Sequence, residues 1–272
     1  WRSNEGLFIN EKLLEKLDDN IKVIRINIQR MKKGINILSN DKDAAKAFRY
    51  ANEAIFLSQK CPAVGRDNFN WKPFQLSFIL LNISGLLYKS EGFDAKDRDI
   101  IDLAWFPTGG GKTEAYLGLV AIIGFYRTLS KEDDFQSVHA IMRYTLRLLT
   151  LNQAERATRL MVAMNIVSEK YSLTAKEFFV GMWVGAAASP NTLKKAEKIR
   201  DEIYISNKPP SNGITPILLD NCPWCGHQEK EIKDRANLWK YDKQKKTFRG
   251  KCSNNSCILS ERKIPFSCID EE

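Results

Sequence analysis

Between residues 106 and 113 the chain has the sequence Phe106-Pro107-Thr108-Gly109-Gly110-Gly111-Lys112-Thr113. The apolar run 100–105 before it predicts a short strand, and residues 114–129 after it predict a helix. Glycines allow a backbone to wrap around a phosphate, and the positive end of the following helix favours the same ligand. We therefore expect a phosphate loop that binds ATP, in which the backbone of Thr108, Gly109, Gly110 and Gly111 holds the phosphates.

Two side chains at the end of this loop are the candidate catalytic residues. Lys112 stands where the lysine of the motif contacts the β- and γ-phosphates, and Thr113 stands where a hydroxyl binds Mg²⁺. Phe106 departs from the strict pattern, which has glycine at its first position. The alternative is a chance glycine-rich turn, but the predicted strand and helix on either side favour the ATP site.

The segments that follow predict an α/β fold. Residues 138–142 and 178–184 are strand candidates, and residues 151–171 and 190–203 are helix candidates. Strands that alternate with helices are typical of a parallel sheet with flanking helices.

The first sixty residues predict helix. Apolar residues alternate three and four positions apart without a break, a heptad seam made of Leu14, Leu17, Ile21, Ile24, Ile28, Met31, Ile35 and Leu38. Such a seam keeps one apolar stripe against a partner helix. A long helix packed within its own domain is favoured here, and an intermolecular coiled coil is the alternative.

Four cysteines predict a metal site. Cys222-Pro223-Trp224-Cys225-Gly226 is followed by a wider pair, Cys252 and Cys257. Two pairs separated by a hairpin-sized stretch match a four-thiolate zinc ribbon, so we expect Zn²⁺ in a closed structural site. A redox pair, or His227 in place of one thiolate, is the alternative. Cys61 and Cys268 are expected in the core.

The stretch between the two cysteine pairs interleaves basic and aromatic residues over 240–251. It is either a grip on a nucleic-acid backbone or a solvated hairpin tip. The stretch between the pairs is polar, so its folding is expected to depend on the metal rather than on a core of its own.

Charge and apolar patterning limit the class of protein. The formal net charge is +9, which favours polyanion partners over general solubility alone. No apolar run is long enough to span a bilayer, and the first residues lack the apolar core of a signal peptide, so no membrane partner and a cytoplasmic location are expected. The absence of methionine at position 1 suggests a piece of a longer protein.

Three motifs resemble those of superfamily 2 helicases and translocases. Residues 107–113 resemble motif I, and Trp71-Lys72-Pro73-Phe74-Gln75 resembles the box that recognises adenine, with Gln75 as the base-contacting residue. The run 143–153 resembles motif Ia, which contacts the backbone of single-stranded nucleic acid, and its candidate contacts are Arg143, Thr145 and Arg147. A helix-start role for Gln75 and local ion pairs for the arginines are the alternatives.

The combination of these motifs indicates a narrower family than helicases in general. Residues 71–82, 105–119, 142–150 and 222–226 are together similar to the large helicase-like subunit of the DISARM anti-phage system, the DrmA family. The resemblance spans roughly residues 45–272 and accounts for Phe106, which is unusual in other helicases. It implies bacterial defence, DNA binding, a partner subunit of the same system and a much longer full-length protein.

This resemblance implies three regions. They are a helical amino-terminal region, 1–95, which includes the adenine box; the first part of a RecA-like ATP-binding lobe, 96–213; and a zinc-ribbon insertion, 214–268. Ile264–Glu272 ends in an acidic pair like a Walker B box, but its proline and small polar residues predict a poor strand. The acidic box is therefore expected beyond Glu272, and this chain should bind ATP but hydrolyse it weakly or not at all. A restriction- or repair-type translocase and a DNA-binding module with a relic ATP site remain as alternatives.

Overall fold

The computed structural model describes residues 11–103, 105, 107, 109–131, 137–143, 147–173, 177–185, 187–242 and 246–269, with backbone only at 11–12 and 147–150. Within these residues the fold is mainly helical, with two small sheets. The elements in chain order are α1 (Glu11–Asn40), α2 (Lys42–Lys60), α3 (Pro73–Leu86), α4 (Ala95–Arg98), α5 (Lys112–Leu129), α6 (Arg147–Lys170), β1 (Val180–Gly181), α7 (Leu193–Ser206), α8 (Ile232–Leu238), β2 (Lys240–Asp242), β3 (Thr247–Arg249) and β4 (Phe266–Ser267).

The chain forms two compact units. The first contains the described residues of Trp1–Lys46 and Trp71–Leu119, and the second contains those of Ala47–Asn70 and Val120–Glu272. No helix in the described part of the chain is long and apolar enough to cross a membrane.

In the first unit, α1 packs against α3 through a face that the heptad seam does not include. The buried residues of α1 are Arg30, Gly34 and Ile37. Glycine is required at position 34 because a Cβ there would overlap the carbonyl of Leu80 in α3. The close approach of these two helices therefore depends on a residue that would otherwise weaken α1.

Most of the seam remains at the surface, although Ile21, Met31 and Leu38 are half-buried. Leu17, Ile24 and Ile28 are 41%, 56% and 40% exposed, and every residue from 13 to 20 is exposed. The long helix does pack within its own unit, against α3, as expected, but most of the seam takes no part in that packing. The stripe of apolar residues predicted the helix correctly, because its period matches that of a helix, but another face of α1 provides the packing.

A buried ion-pair network joins α1 to the segment that leads to the glycine-rich turn. Arg30 Nη1 and Nη2 donate to the two carboxylate oxygens of Asp102 at 2.7 Å each, and Arg30 Nη2 also donates to Leu81 O at 3.2 Å. Asp97 lies 3.6 Å from Arg30 Nε and accepts from Ser84 Oγ at 2.6 Å. The Asp102 hydrogen bond raises the pKa of Arg30 against the opposing effect of burial. The guanidinium thus stays charged and fixes Asp102, which lies within the predicted strand 100–105.

In the second unit, one apolar core is shared by α6, α7 and the cysteine-rich segment. Trp239, Phe248 and Phe266 are at most 2% exposed, and the ring of Trp239 stacks on Phe248 and meets Phe266 edge-on, with ring centroids 6.1 and 6.4 Å apart. Ala154 of α6 and Ile203 of α7 belong to the same cluster. The expectation that this segment is too polar to bury a core is therefore wrong.

The sheets are smaller than the sequence predicted. β1 pairs in parallel with β4, with Val180 opposite Phe266, and β2 pairs antiparallel with β3, with Tyr241 opposite Phe248. The parallel pair agrees with the α/β prediction, and the antiparallel pair is the hairpin expected between the cysteine pairs. The described residues do not form the full predicted parallel sheet.

Two of the predicted strands are absent from the described residues. Ile101, Leu103 and Trp105 are 96%, 82% and 86% exposed, and Val138 and Ile141 are 73% and 88% exposed. Neither segment belongs to a strand in the structure. A strand is stabilised by a hydrogen-bonded neighbour, and the described residues provide none for these segments.

Several helix boundaries also differ from the prediction. α7 begins at Leu193 rather than Pro190, because Thr192 is its cap and its hydroxyl accepts from Lys195 N at 3.2 Å. The short helices α4 and α8 were not predicted. α4 follows Asp94, whose carboxylate accepts from Lys96 N at 2.9 Å.

Candidate nucleotide and metal sites

The structure places the glycine-rich turn directly at the start of α5. Gly109 and Gly111 have φ of 81° and 91°, in the left-handed region that favours glycine. Pro107 O accepts from Gly110 N at 3.1 Å and from Lys112 Nζ at 3.0 Å. The turn therefore leads directly into α5, with Lys112 and Thr113 in the first turn of that helix. Thr108, the first predicted contact, lies outside the described residues, as does Phe106.

The first turn of α3 contacts this loop. Gln75 is 2% exposed, and its Nε2 donates to Gly111 O at 2.6 Å, while its Oε1 accepts from Lys72 N at 2.8 Å. Lys72 Nζ donates to Gly110 O at 3.0 Å. The sequence paired Gln75 with the nucleotide site as a contact to adenine; the structure shows the amide bonded to the backbone of the loop. Adenine recognition stays a prediction.

The predicted nucleic-acid contacts are only partly described. Arg143 is exposed, Thr145 lies outside the described residues, and Arg147 is the first residue of α6, with its side chain outside them. Their contact with a nucleic-acid backbone stays a prediction.

The four cysteines come together as the zinc-ribbon pattern predicted. Their sulfur atoms all lie within 4.8 Å of one another, with Cys222 Sγ 3.8 Å from Cys257 Sγ and Cys225 Sγ 3.6 Å from Cys252 Sγ. Four sulfurs placed tetrahedrally at about 2.3 Å from one Zn²⁺ would be separated by about 3.8 Å. A disulfide requires sulfurs about 2.05 Å apart, and all six cysteines are free. The donor set and its spacing therefore fit a metal ion such as zinc.

The backbone around the sulfurs is shaped for this cluster. Gly226 has φ of 75°, and its N–H donates to Cys222 O at 2.9 Å, which closes the turn between the first two cysteines. Leu259 N donates to Cys257 Sγ at 3.4 Å and Asn254 Nδ2 to Cys225 Sγ at 3.8 Å. Hydrogen bonds of this kind stabilise thiolate ligands. The imidazole of His227 lies 3.3 Å from a Glu229 carboxylate oxygen, and His227 is not one of the four grouped donors.

The thiol pKa values differ within the cluster. Burial raises the pKa of Cys257 to about 12 and also raises the pKa of Cys222 and Cys252. Burial acts in the same direction on Cys225, but the His227 N–H and the neighbouring thiols outweigh it and lower its pKa. A cysteine binds a metal as the thiolate, so the affinity of this cluster for Zn²⁺ should fall as the pH falls.

The first cysteine turn is fixed to helices of its own unit. Ala63 N donates to Trp224 O at 3.0 Å, and Arg159 Nε of α6 donates to Pro223 O at 2.8 Å. These contacts anchor the metal site to the loop after α2 and to α6. Sequence reasoning could not find them, because the partners are far apart in the chain.

The basic residues of the hairpin β2–β3 and its flanks differ in their exposure. Lys240, Lys246 and Lys251 are exposed, and residues 243–245 lie outside the described residues. Arg249 has a side chain only 2% exposed and pairs with both carboxylate oxygens of Glu177. The exposed lysines are therefore available to a polyanion, whereas Arg249 is a structural residue.

The segment before the carboxyl-terminal acidic pair is buried. Ile264, Phe266 and Cys268 are at most 3% exposed, and β4 lies within this segment. β4 spans only two residues, Phe266–Ser267, so the strand is as poor as expected, although the small polar Ser267 is buried and paired with β1. Asp270 and Glu271 lie outside the described residues.

No family model matches the chain. The chain is 35% identical over 276 residues to the DISARM protein DrmA of Bacillus paralicheniformis (strain ATCC 9945a / NCIMB 11709 / CD-2). The similarity covers 93% of this chain and 24% of that protein, so the chain spans about a quarter of its relative's length. The resemblance seen in the sequence motifs is confirmed: the chain is DrmA-like along nearly all of its length.

Proposed function

We propose that the chain forms the ATP-binding part of an ATP-dependent DNA helicase or translocase that acts in anti-phage defence. The observation that carries the proposal is the glycine turn, with Gly109 and Gly111 in the left-handed region, directly before α5. Similarity to DrmA supports the role in defence. An ordinary loop would not need two left-handed glycines next to a helix-start lysine and threonine.

In this proposal the loop recognises the triphosphate by backbone and side chain together. The N–H groups of Gly109 and Gly111 donate to phosphate oxygens. The N–H of Gly110 and the ammonium of Lys112 both turn from Pro107 O to the phosphates, the ammonium to the β- and γ-phosphates. The hydroxyl of Thr113 would hold Mg²⁺, which neutralises phosphate charge during transfer. Efficient hydrolysis also needs an acidic residue to position the attacking water, so this chain alone should hydrolyse ATP weakly.

The other parts of the chain would serve DNA contact and stability. Arg143, Thr145 and Arg147 are proposed to contact the DNA backbone without reading its sequence. The four-cysteine site would hold Zn²⁺ with no open coordination position, so its role would be structural. We further propose that the protein works in the cytoplasm with a partner subunit of the same defence system, as its DrmA similarity suggests.

A plaque assay in cells that carry the complete defence system tests the proposal. Lys112→Ala should abolish protection against phage, whereas Lys89→Ala, at an exposed lysine outside the loop, should leave it intact. Full protection by Lys112→Ala protein would overturn the motor function. Purified Arg143→Ala protein should bind single-stranded DNA more weakly and with a smaller dependence on salt, because one phosphate contact is lost.

A further inference from the structure

The first turn of α3 holds two consecutive carbonyl groups of the phosphate loop. Lys72 Nζ donates to Gly110 O at 3.0 Å and Gln75 Nε2 donates to Gly111 O at 2.6 Å. The carbonyl and the N–H of a trans peptide point in opposite directions. Fixing these two carbonyls towards α3 therefore aims the N–H groups of Gly111 and Lys112 away from α3.

The amide of Gln75 is enclosed in this arrangement. The residue is 2% exposed, and its Oε1 also accepts from Lys72 N at 2.8 Å, so donor and acceptor atoms both have partners within the chain. A Cβ built on Gly111 would lie 2.8 Å from Gln75 Nε2, so the amide rests directly against the glycine. The amide keeps a second N–H and a second lone pair, but at this burial a base could reach them only if α3 or the loop moved.

We propose that Gln75 is a positioning residue of the phosphate loop, which acts on the triphosphate through Gly111 and does not discriminate between bases. This inference rests on the proposed nucleotide site. It differs from adenine recognition in a measurable way, because a positioning residue affects every ligand that carries the triphosphate.

Binding of three ligands to the purified protein tests the inference. MgATP, MgCTP and Mg-tripolyphosphate, which has no base, should all lose about tenfold in affinity in Gln75→Ala, the value of one hydrogen bond in a buried site. At about pH 9.5, above the pKa of even a buried glutamate, Gln75→Glu keeps an acceptor for Lys72 N but cannot donate to Gly111 O. Gln75→Glu should therefore weaken the binding of all three ligands as well. Because it keeps the cap of α3, this variant distinguishes a role in orienting the loop from a role in capping the helix.

Asn82→Ala is the matched control. Asn82 lies in the same helix, and its Nδ2 donates to Phe78 O at 2.8 Å, so the variant loses a similar bond away from the loop and should keep wild-type affinity. Weaker binding of MgATP alone would instead establish base recognition by Gln75, and wild-type affinity in Gln75→Glu would reduce Gln75 to a helix cap. Either result would overturn the inference about Gln75 but leave the proposed nucleotide site intact. Wild-type protein that binds none of the three ligands would refute the nucleotide site itself.

Discussion

Removal of the Arg30 guanidinium should destabilise the first unit strongly. The side chains of Arg30 and Asp102 are 4% and 16% exposed, and they share two hydrogen bonds of 2.7 Å. Arg30→Met leaves the Asp102 carboxylate without its counter-charge in a mostly buried place. Breaking a buried ion pair in this way costs about 3–5 kcal/mol, a large part of a typical free energy of unfolding.

Thermal unfolding followed by circular dichroism measures this effect. The melting temperature of Arg30→Met should fall by about 10 °C for a chain of this size. Arg25→Met, the same substitution at an exposed position of the same helix, should change it little. Arg30→Met combined with Asp102→Leu should recover part of the loss, because the second change removes the unpaired carboxylate. Equal melting temperatures for Arg30→Met and Arg25→Met would refute the buried pair as the link between α1 and the approach to the phosphate loop.

Two further predictions concern the metal site and the exposed seam. Purified protein should contain one Zn²⁺ per chain, which Cys252→Ser should lose and Cys61→Ala should keep. Because the ribbon shares its core with α6 and α7, loss of the metal should also reduce helix content. Elemental analysis that finds no zinc in the native protein would contradict the site. Ile24→Lys and Ile26→Lys change side chains that are both 56% exposed, one on the seam and one on the opposite face, so each should shift the free energy of unfolding by less than about 0.5 kcal/mol. The seam would have a partner if Ile24→Lys alone lost much stability, or if an oligomer seen for the wild type in analytical ultracentrifugation disappeared in Ile24→Lys. Either result would favour the intermolecular coiled coil.

Local patterns in the sequence predicted the helices and the metal cluster well. The helical period of apolar residues is a property of each segment by itself, so α1, α2, α5 and α6 could be found without tertiary information. The cysteine spacing was equally informative, because few other roles need four thiols in two pairs.

Features that depend on distant parts of the chain could not be predicted. A strand needs a neighbour, and the apolar runs around Leu103 and Ile141 have none within the described residues. Arg30 and Asp102 are far apart in sequence, and no short motif marks their contact. The core of the ribbon was missed because Trp239 and Phe248 are single aromatic residues in a polar stretch, and only the fold brings them together.

Nucleotide binding by this chain tests the central claim most directly. Isothermal titration of wild-type protein with MgATP should show binding at a single site, and Lys112→Ala should weaken it at least about tenfold, because a charged hydrogen bond to phosphate is lost. The melting temperature should change little, since the hydrogen bond from Lys112 Nζ to Pro107 O is exposed. Lys89→Ala should bind as the wild type does. Equal MgATP affinity in the wild type and Lys112→Ala would contradict the phosphate loop, and with it the proposal that this DrmA-like chain is part of an ATP-driven motor.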